Sequence, residues 1–248
     1  MTKQLISAVS IIGILATTAS CRSTPPVVNT PQPAAATPAP VLPDGIRWIR
    51  DSAEYQAAVL QTYRTATTNV ELAARGRQPG SWAAVLDADE TVISNLQYQI
   101  ERAQARLTFT PESWRAWIGR REATPIPGAA AFLTRVRDLG GRIAIVTNRL
   151  ESECADTEAV FKTHRLTYDM MLCRPDTGPS DKNPRFAAVT GGTTTIGGPP
   201  LEALVFVGDN ILDFPNLSQA AVKKDDTTLA PFGTRYFMLP NPMYGSWQ

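Results

Sequence analysis

Two aspartates two residues apart, Asp87 and Asp89, close the short apolar run from Trp82 to Leu86, and their spacing sets the first chemical expectation. In an extended backbone residues i and i+2 point to the same side, so both carboxylates are placed to face one pocket. Such a pair can divide the work of phosphoryl transfer. One carboxylate attacks phosphorus, while the other protonates the departing alkoxide and then activates water. Alone, the pair also fits a polar strand end or a helix cap entering Glu90-Thr91. The rest of the chain decides between these readings.

Two further apolar runs end in residues of matching chemistry. Arg142 to Val146 leads into Thr147-Asn148-Arg149, and Leu204 to Val207 leads into Gly208-Asp209 with Asp213 just beyond. Lys182 lies between these two runs in the chain. The Thr147 hydroxyl and the Lys182 ammonium suit the equatorial oxygens of a phosphoryl group, where charge must be stabilised. Asp209 and Asp213 add the carboxylate density that a hard cation demands. Mg²⁺ prefers oxygen ligands and commonly takes one or two carboxylates together with phosphate and water. Four carboxylates meeting without a cation would repel one another strongly, so the arrangement requires a metal. Singly, Thr147-Asn148 reads as a helix cap, Asp209-Asn210 as a turn and Lys182 as a solvated side chain. What points to catalysis is their joint occurrence at strand ends.

The elements that must position these residues follow from patterning. Trp48 to Ala74 reads as one long helix, with Ser52 as a cap and Tyr55, Val59 and Tyr63 as an apolar stripe. Val92 to Glu122 is polar and helical in tone, and Thr110-Pro111 marks a helix start within it. Its position after the first strand suits a cover for the pocket. Tyr98, Phe109, Trp114 and Trp117 there can form a wall for a substrate ring, or else pack into their own core. Helices are expected over 129–139 and 152–164, a short apolar segment over 168–173 and a helix start after Ser180-Asp181-Lys182. Gly191 to Pro200 reads as a loop. Helices alternating with all-apolar strands predict an α/β domain with a mostly parallel sheet flanked by helices on both faces.

The first residues carry an address. Lys3 precedes an apolar stretch from Leu5 to Ala16, too short to span a bilayer comfortably, and Ala19-Ser20 precede Cys21. This resembles a bacterial lipoprotein signal over 1–21, with Cys21 lipidated, although Thr18 stands where Leu is usual. The other reading is a cleaved secretory signal with an incidental cysteine. Arg22 after the cysteine favours an outer-membrane lipoprotein facing the periplasm or the cell surface. Residues 22–45 form a linker: seven of the chain's 20 prolines fall between Arg22 and Pro43, and such a segment stays extended and solvated. The folded domain is expected over 46–248, with a cap near 92–124.

Composition narrows the partners. A net charge of +1 with 19% charged residues provides no basic stripe for a nucleic-acid polymer. Cys154 and Cys173 read equally as a lone bridge in an oxidising compartment or as two buried thiols, and they lack metal-site spacing. The one histidine, His164, sits between Thr163 and Arg165 at a predicted helix end. It lacks the Arg-His-Gly flanks of a histidine phosphatase and reads as partly exposed.

The order Asp-x-Asp-x-Thr, strand-Thr-Asn, Lys, Gly-Asp-x-x-x-Asp resembles the haloacid-dehalogenase (HAD) phosphohydrolases. Within that superfamily it is similar to the four-aspartate, class C acid phosphatases of the lipoprotein-e, 5′-nucleotidase type. Leu86 to Thr91, Trp114-x-x-Trp117 followed by Ile126 to Ala129, Val146 to Arg149, Val207 to Phe214 and the ending Leu239 to Trp247 carry the likeness. It covers roughly Asp51 to the C-terminus. Ala88 stands where a larger aliphatic is common, and Gly191 to Pro200 looks like an insertion placed to alter homo-oligomer contacts, should oligomers form.

The resemblance implies a Rossmann-like HAD fold and an acid phosphatase acting on small phosphomonoesters, nucleoside monophosphates among them. It implies Asp87 as nucleophile and Asp89 as acid/base. Mg²⁺ would be held by Asp87, the backbone carbonyl of Asp89, and Asp209, with Asp213 in support. Thr147, Asn148 and Lys182 would bind phosphate, and Tyr98, Trp114, Trp117 and Tyr244 are the candidate stacking residues. Two rival activities are a phosphotransferase on the same fold and a surface lipoprotein that binds without catalysis.

Overall fold

The computed structural model describes residues 41–223 and 226–248. Cys21, the signal segment and all but the last residues of the Pro-rich linker lie outside them. In chain order the elements are α1 (Asp44–Asp51), α2 (Ala53–Ala73), β1 (Trp82–Leu86), β2 (Ile93–Ser94), α3 (Leu96–Gln104), α4 (Pro111–Arg120), β3 (Thr124–Pro125) and α5 (Ala129–Asp138). They continue with β4 (Arg142–Leu150), α6 (Cys154–Thr163), β5 (Met170–Arg174), α7 (Asn183–Gly191), β6 (Glu202–Gly208), α8 (Asp226–Leu229) and β7 (Tyr236–Met238).

The sheet runs β5-β4-β1-β6-β7, and each neighbouring pair is parallel. All five residues of β1 are buried, because helices cover both faces, as all-parallel sheets require. Alternation divides the strand between two cores. Trp82, Ala84 and Leu86 pack with Val59, Tyr63, Phe132 and Leu133 from α2 and α5. Ala83 and Val85 face the other way, toward Phe186 and Val189 of α7.

The helix expected over 48–74 is two helices. Ser52 adopts an extended backbone and its hydroxyl accepts the Tyr55 amide at 3.1 Å. A serine that caps cannot continue the preceding helix, so α1 ends there and begins earlier, at Asp44. The helix expected from Ser152 starts at Cys154, after a 3₁₀ turn over Glu151–Glu153. β4 runs on through Thr147 to Leu150, with a register shift against β5 between Val146 and Leu150. β7, only three residues long, offered too short a pattern to be read from sequence. Cys154 and Cys173 form a disulfide with Cα atoms 6.2 Å apart, joining the start of α6 to β5. His164 caps the end of α6, half-buried, with Nε2 3.1 Å from the Ala123 carbonyl.

Between β1 and α5 the chain leaves the sheet. β2 and β3 pair antiparallel, Ile93 with Pro125 and Ser94 with Thr124. The helices α3 and α4 are strung between them. The Thr110 hydroxyl accepts the Ser113 amide, and Pro111 opens α4, as the sequence indicates.

Candidate active site

β1 lies in the middle of the sheet, and its carboxyl end opens into a cavity of about 750 Å³. The Asp87 amide still donates to the Val207 carbonyl at 3.0 Å, so the sheet fixes this residue on its backbone. After Ala88 the chain turns sharply: the amides of Val92 and Ile93 both donate to the Ala88 carbonyl. Glu90 sits in this turn at φ 51°, a left-handed conformation uncommon for a residue with a side chain. On the neighbouring strand end, Gly208 permits the close return of Asp213. A Cβ at Gly208 would collide with the Asp213 side chain. The Asp213 Oδ2 accepts the amides of Asp209 and Asn210 at 3.1 and 2.9 Å, which holds the loop after β6 in a tight turn.

Carboxylate oxygens of Asp87, Asp209 and Asp213 lie within 4.8 Å of one another. Lys182 Nζ bridges two of them, donating to Asp87 Oδ1 at 2.5 Å and Asp213 Oδ1 at 2.6 Å. Asp87 and Lys182 are 8% and 3% exposed, so the charges meet out of water. Burial, with help from Asp213 and Asp89, pushes the Asp87 carboxyl up to about 7, against the pull of Lys182. Burial, with Asp213 and Asp87 beside it, holds Asp209 well above the usual carboxylate range. Fully ionised, the three carboxylates against one ammonium would leave two negative charges uncompensated, and burial accordingly holds protons on Asp87 and Asp209. Clustered hard oxygen donors with that deficit fit a divalent cation.

Asp89 lines the same cavity, but its carboxylate is turned to a different partner. Arg149, 2% exposed, donates to Asp89 Oδ1 through Nε at 3.0 Å and Nη2 at 2.8 Å. Asn95 Nδ2 adds a third bond to Oδ1 at 2.8 Å. The side chain of Asp89 therefore stands outside the three-aspartate cluster, and any share it has in a metal site rests with its backbone carbonyl.

The remaining predicted residues divide. Lys182 and Asn148 line the cavity with Asp87, Asp89, Asp209 and Asp213. Thr147 is fully buried behind it, its hydroxyl accepting the Arg149 amide at 3.1 Å. Arg185 clamps this turn from α7, donating to the Thr147 carbonyl and, at 2.6 Å, to Asn148 Oδ1. Of the four candidate stacking residues, Trp114 and Tyr244 line the cavity. Tyr98 and Trp117 do not. They are 3% and 2% exposed, and their polar atoms are bonded inside the cap, Tyr98 to Ser113 and Trp117 to Asn95. Trp114 and Trp117 share one side of α4: Trp117 is buried in the core with Ile118, while Trp114, only partly buried against that core, reaches the cavity.

Sequence reasoning missed Asn95, Arg149, Arg185 and Asn241, whose amide donates to Asp209 Oδ2 at 2.8 Å. For Arg149 a signal existed. It stands two residues after Thr147, the same spacing that linked Asp87 to Asp89. Asn241 falls in the closing stretch Leu239 to Trp247 that carries the family likeness, while Asn95 and Arg185 offered no signal.

Residues 13–247 match the family model described as HAD superfamily, subfamily IIIB (Acid phosphatase). The chain belongs to that family. Among solved structures it is similar to the class C acid phosphatase of Bacillus anthracis with tungstate bound, at 26% identity and TM-score 0.70, covering 82% of this chain and 84% of that one. A second structure of the Bacillus anthracis class C enzyme matches at 25% identity and TM-score 0.68, with the same coverage. This HAD acid phosphatase is thus a phosphomonoesterase acting on small phosphoesters, which sets aside a purely binding module. HAD phosphatases generally use a divalent metal, and the three-aspartate cluster is the place in this fold where one would be held.

Proposed function

We propose that this acid phosphatase is a Mg²⁺-dependent hydrolase of nucleoside monophosphates and similar small phosphomonoesters, working through an aspartyl-phosphate on Asp87. The observation that carries the reading is the meeting of Asp87, Asp209, Asp213 and Lys182 at the end of β1, with Asp89 in the same cavity. Asp87, Asp209 and Asp213, with the Asp89 carbonyl, are the residues to hold Mg²⁺. When bound, the ion supplies charge stabilisation at the phosphoryl oxygens. The chain's own groups do the rest. An Asp87 carboxylate oxygen bonds to phosphorus as the ester P–O bond breaks, and Asp89 passes its proton to the leaving oxygen. Lys182 balances charge between Asp87 and Asp213. Asp89, now ionised, takes a proton from water as that water's oxygen attacks phosphorus and frees Asp87. Tungstate on the Bacillus anthracis relative, a tetrahedral dianion like phosphate, agrees with an oxyanion site of this kind.

Trp114 and Tyr244 in the cavity wall support a leaving alcohol that carries an aromatic ring, such as a nucleoside. Export and lipid anchoring belong to the same proposal. They are supported by Lys3, the apolar stretch and Cys21 in sequence and by the Cys154–Cys173 bond, which suits an oxidising compartment. Among the described residues no helix is long and apolar enough to cross a membrane.

The test is p-nitrophenyl phosphate turnover with Mg²⁺ and with EDTA, followed by a panel of mononucleotides and sugar phosphates. Loss of turnover in EDTA, its return with Mg²⁺ and a preference for mononucleotides are expected. Unchanged turnover in EDTA overturns the metal, and indifference across the panel overturns the nucleotide.

A further inference from the structure

Asp89 is the group asked to give and take a proton, yet its two oxygens are not equivalent. Oδ1 receives three N–H bonds: Arg149 Nε at 3.0 Å, Arg149 Nη2 at 2.8 Å and Asn95 Nδ2 at 2.8 Å. Among the described residues Oδ2 has only the long arm of Arg149 Nε, at 3.2 Å. Both donors are themselves fixed. Arg149 Nη1 donates to Thr157 on α6 at 3.1 Å, and its Nη2 also donates to Asn95 Oδ1 at 3.0 Å. Trp117 Nε1, from α4, donates to that same Asn95 oxygen at 2.8 Å.

Asn95 is fully buried. It stands at the N-cap position of α3 without capping the helix through its side chain. Asparagine there ordinarily bonds the first free amides of the helix. Here the side chain is turned back to Asp89, and the backbone amide is given to Glu90 Oε1 at 2.6 Å. The network ties both cap helices and α6 to one carboxylate oxygen.

We propose that Arg149 and Asn95 are positioning residues that saturate Oδ1 of Asp89 and so designate Oδ2 as the oxygen that carries the proton. An oxygen already accepting three N–H bonds has no lone pair left for a proton, whereas Oδ2 does. In the first half-reaction the Oδ2–H proton moves to the bridging oxygen of the ester. The electron pair of the breaking P–O bond stays on that oxygen, and Asp89 is left as a carboxylate facing the Arg149 guanidinium. In the second half-reaction Oδ2 takes the proton back from water. The inference rests on the acid/base reading of Asp89 given above.

The experiment measures kcat/KM, which reports steps up to the first irreversible one, for a series from 2,4-dinitrophenyl phosphate through phenyl phosphate to an alkyl phosphate. A good leaving group needs no proton, while a poor one does. The variants are Arg149→Met, Arg149→Lys, Asn95→Ser and Asp89→Asn in the full chain, each checked by its thermal melt. For Arg149→Met and Asn95→Ser the expected result is a loss of about 100-fold on the alkyl phosphate, the scale of a misplaced catalytic group. On the dinitrophenyl ester the same variants should lose less than about 3-fold, the general-acid contribution having dropped out. Arg149→Lys, which can donate to Oδ1 but cannot fork, should recover part of the alkyl activity.

If Arg149→Met and Asn95→Ser lose the same factor on every ester while Asp89→Asn shows the steepened dependence, the network is only structural and this inference fails alone. If Asp89→Asn also loses the same factor throughout, the acid role itself falls, and the inference falls with it. Should Arg149→Met fail to fold, Arg149→Lys and Asn95→Ser still decide the matter by the slope of their leaving-group dependence.

Discussion

The two sides of the cavity are built differently. On the strand-end side Asp87, Asp213 and Lys182 are buried, bonded to one another, and set on backbone that the parallel sheet fixes. On the cap side, α3 and α4 are linked by exposed ion pairs such as Arg120–Glu101, and Leu107 and Phe109 stand 54% and 60% exposed at the rim. Displacing a charge by an ångström ruins chemistry, so reacting groups belong on rigid elements. A wall that only selects substrates tolerates adjustment. Asn95 and Trp117 are the exception on the cap side, since their buried bonds reach across to Asp89.

The largest effect should come from the rigid side. Asp87→Asn keeps the shape of the nucleophile and removes its charge, so kcat for p-nitrophenyl phosphate should fall by at least about 10⁴-fold. Retained turnover would move the nucleophile elsewhere. Lys182→Met should come next. It strands Asp87 and Asp213 without their cation, and breaking a buried pair costs about 3–5 kcal/mol. Urea unfolding in EDTA should show that loss, and saturating Mg²⁺ should restore part of it. Equal losses with and without Mg²⁺ would mean that the ion does not sit among these carboxylates.

How much of this division was legible beforehand depended on the side. Asp87 and Asp209 are legible because strand ends in a parallel sheet share one edge, and an apolar run followed by a polar residue marks that edge. Lys182 stands instead at the start of α7 and is legible only from its residue type and its place between the second and third runs. The i, i+2 rule succeeded in putting Asp87 and Asp89 in one cavity. It did not foresee the turn at Glu90, which gives their carboxylates different partners. The cap was read by composition, and composition does not say which face of a helix is buried. Tyr98 and Trp117 match Trp114 in residue type, yet they pack inward. Ser52 has the residue type of a cap and acts as one, but the apolar stripe that runs past it hides the break between α1 and α2. Asn241 lies 32 residues from Asp209, and no local pattern pairs two side chains at that separation.

Proton linkage sharpens the same contrast. The Asp87 carboxyl is held at about 7 in the metal-free fold, chiefly by burial, against about 4 when unfolded. A carboxyl raised on folding binds its proton more tightly in the native state. The metal-free protein therefore loses stability as pH rises from about 4 toward 7. A cation on the same carboxylates offsets that loss and competes with the proton. The increase in Tm on adding Mg²⁺ should be larger at pH 7.5 than at pH 5. An equal increase at both would show that Asp87 does not exchange a proton for the ion.

On the adjustable side, Trp114→Ala should raise KM for mononucleotides about 10-fold, since stacking on an aromatic ring is worth about 1–3 kcal/mol per base. The KM of a small alkyl phosphate should hardly change, because it has no ring to stack. Trp117→Ala is the control: that ring is buried and its Nε1 serves Asn95, so it should lower Tm and depress every substrate together. A KM effect confined to nucleotides in Trp117→Ala would reverse the assignment of the two tryptophans.

The smallest change is expected at the cap surface. Arg120 pairs with Glu101 at 2.6 Å, but the two side chains are 40% and 36% exposed. Solvent-exposed pairs contribute about 0–1 kcal/mol and are screened by salt. Arg120→Ala should therefore cost less than about 1 kcal/mol in urea unfolding, with KM for mononucleotides unaltered and the small loss vanishing in high salt. Arg120 also lies over the Trp117 ring, 4.8 Å from its centroid, so a larger, salt-independent loss would reveal a packing role there. It would also mean that the cap is held as firmly as the sheet, and the contrast between the two sides would then have to be drawn from function alone.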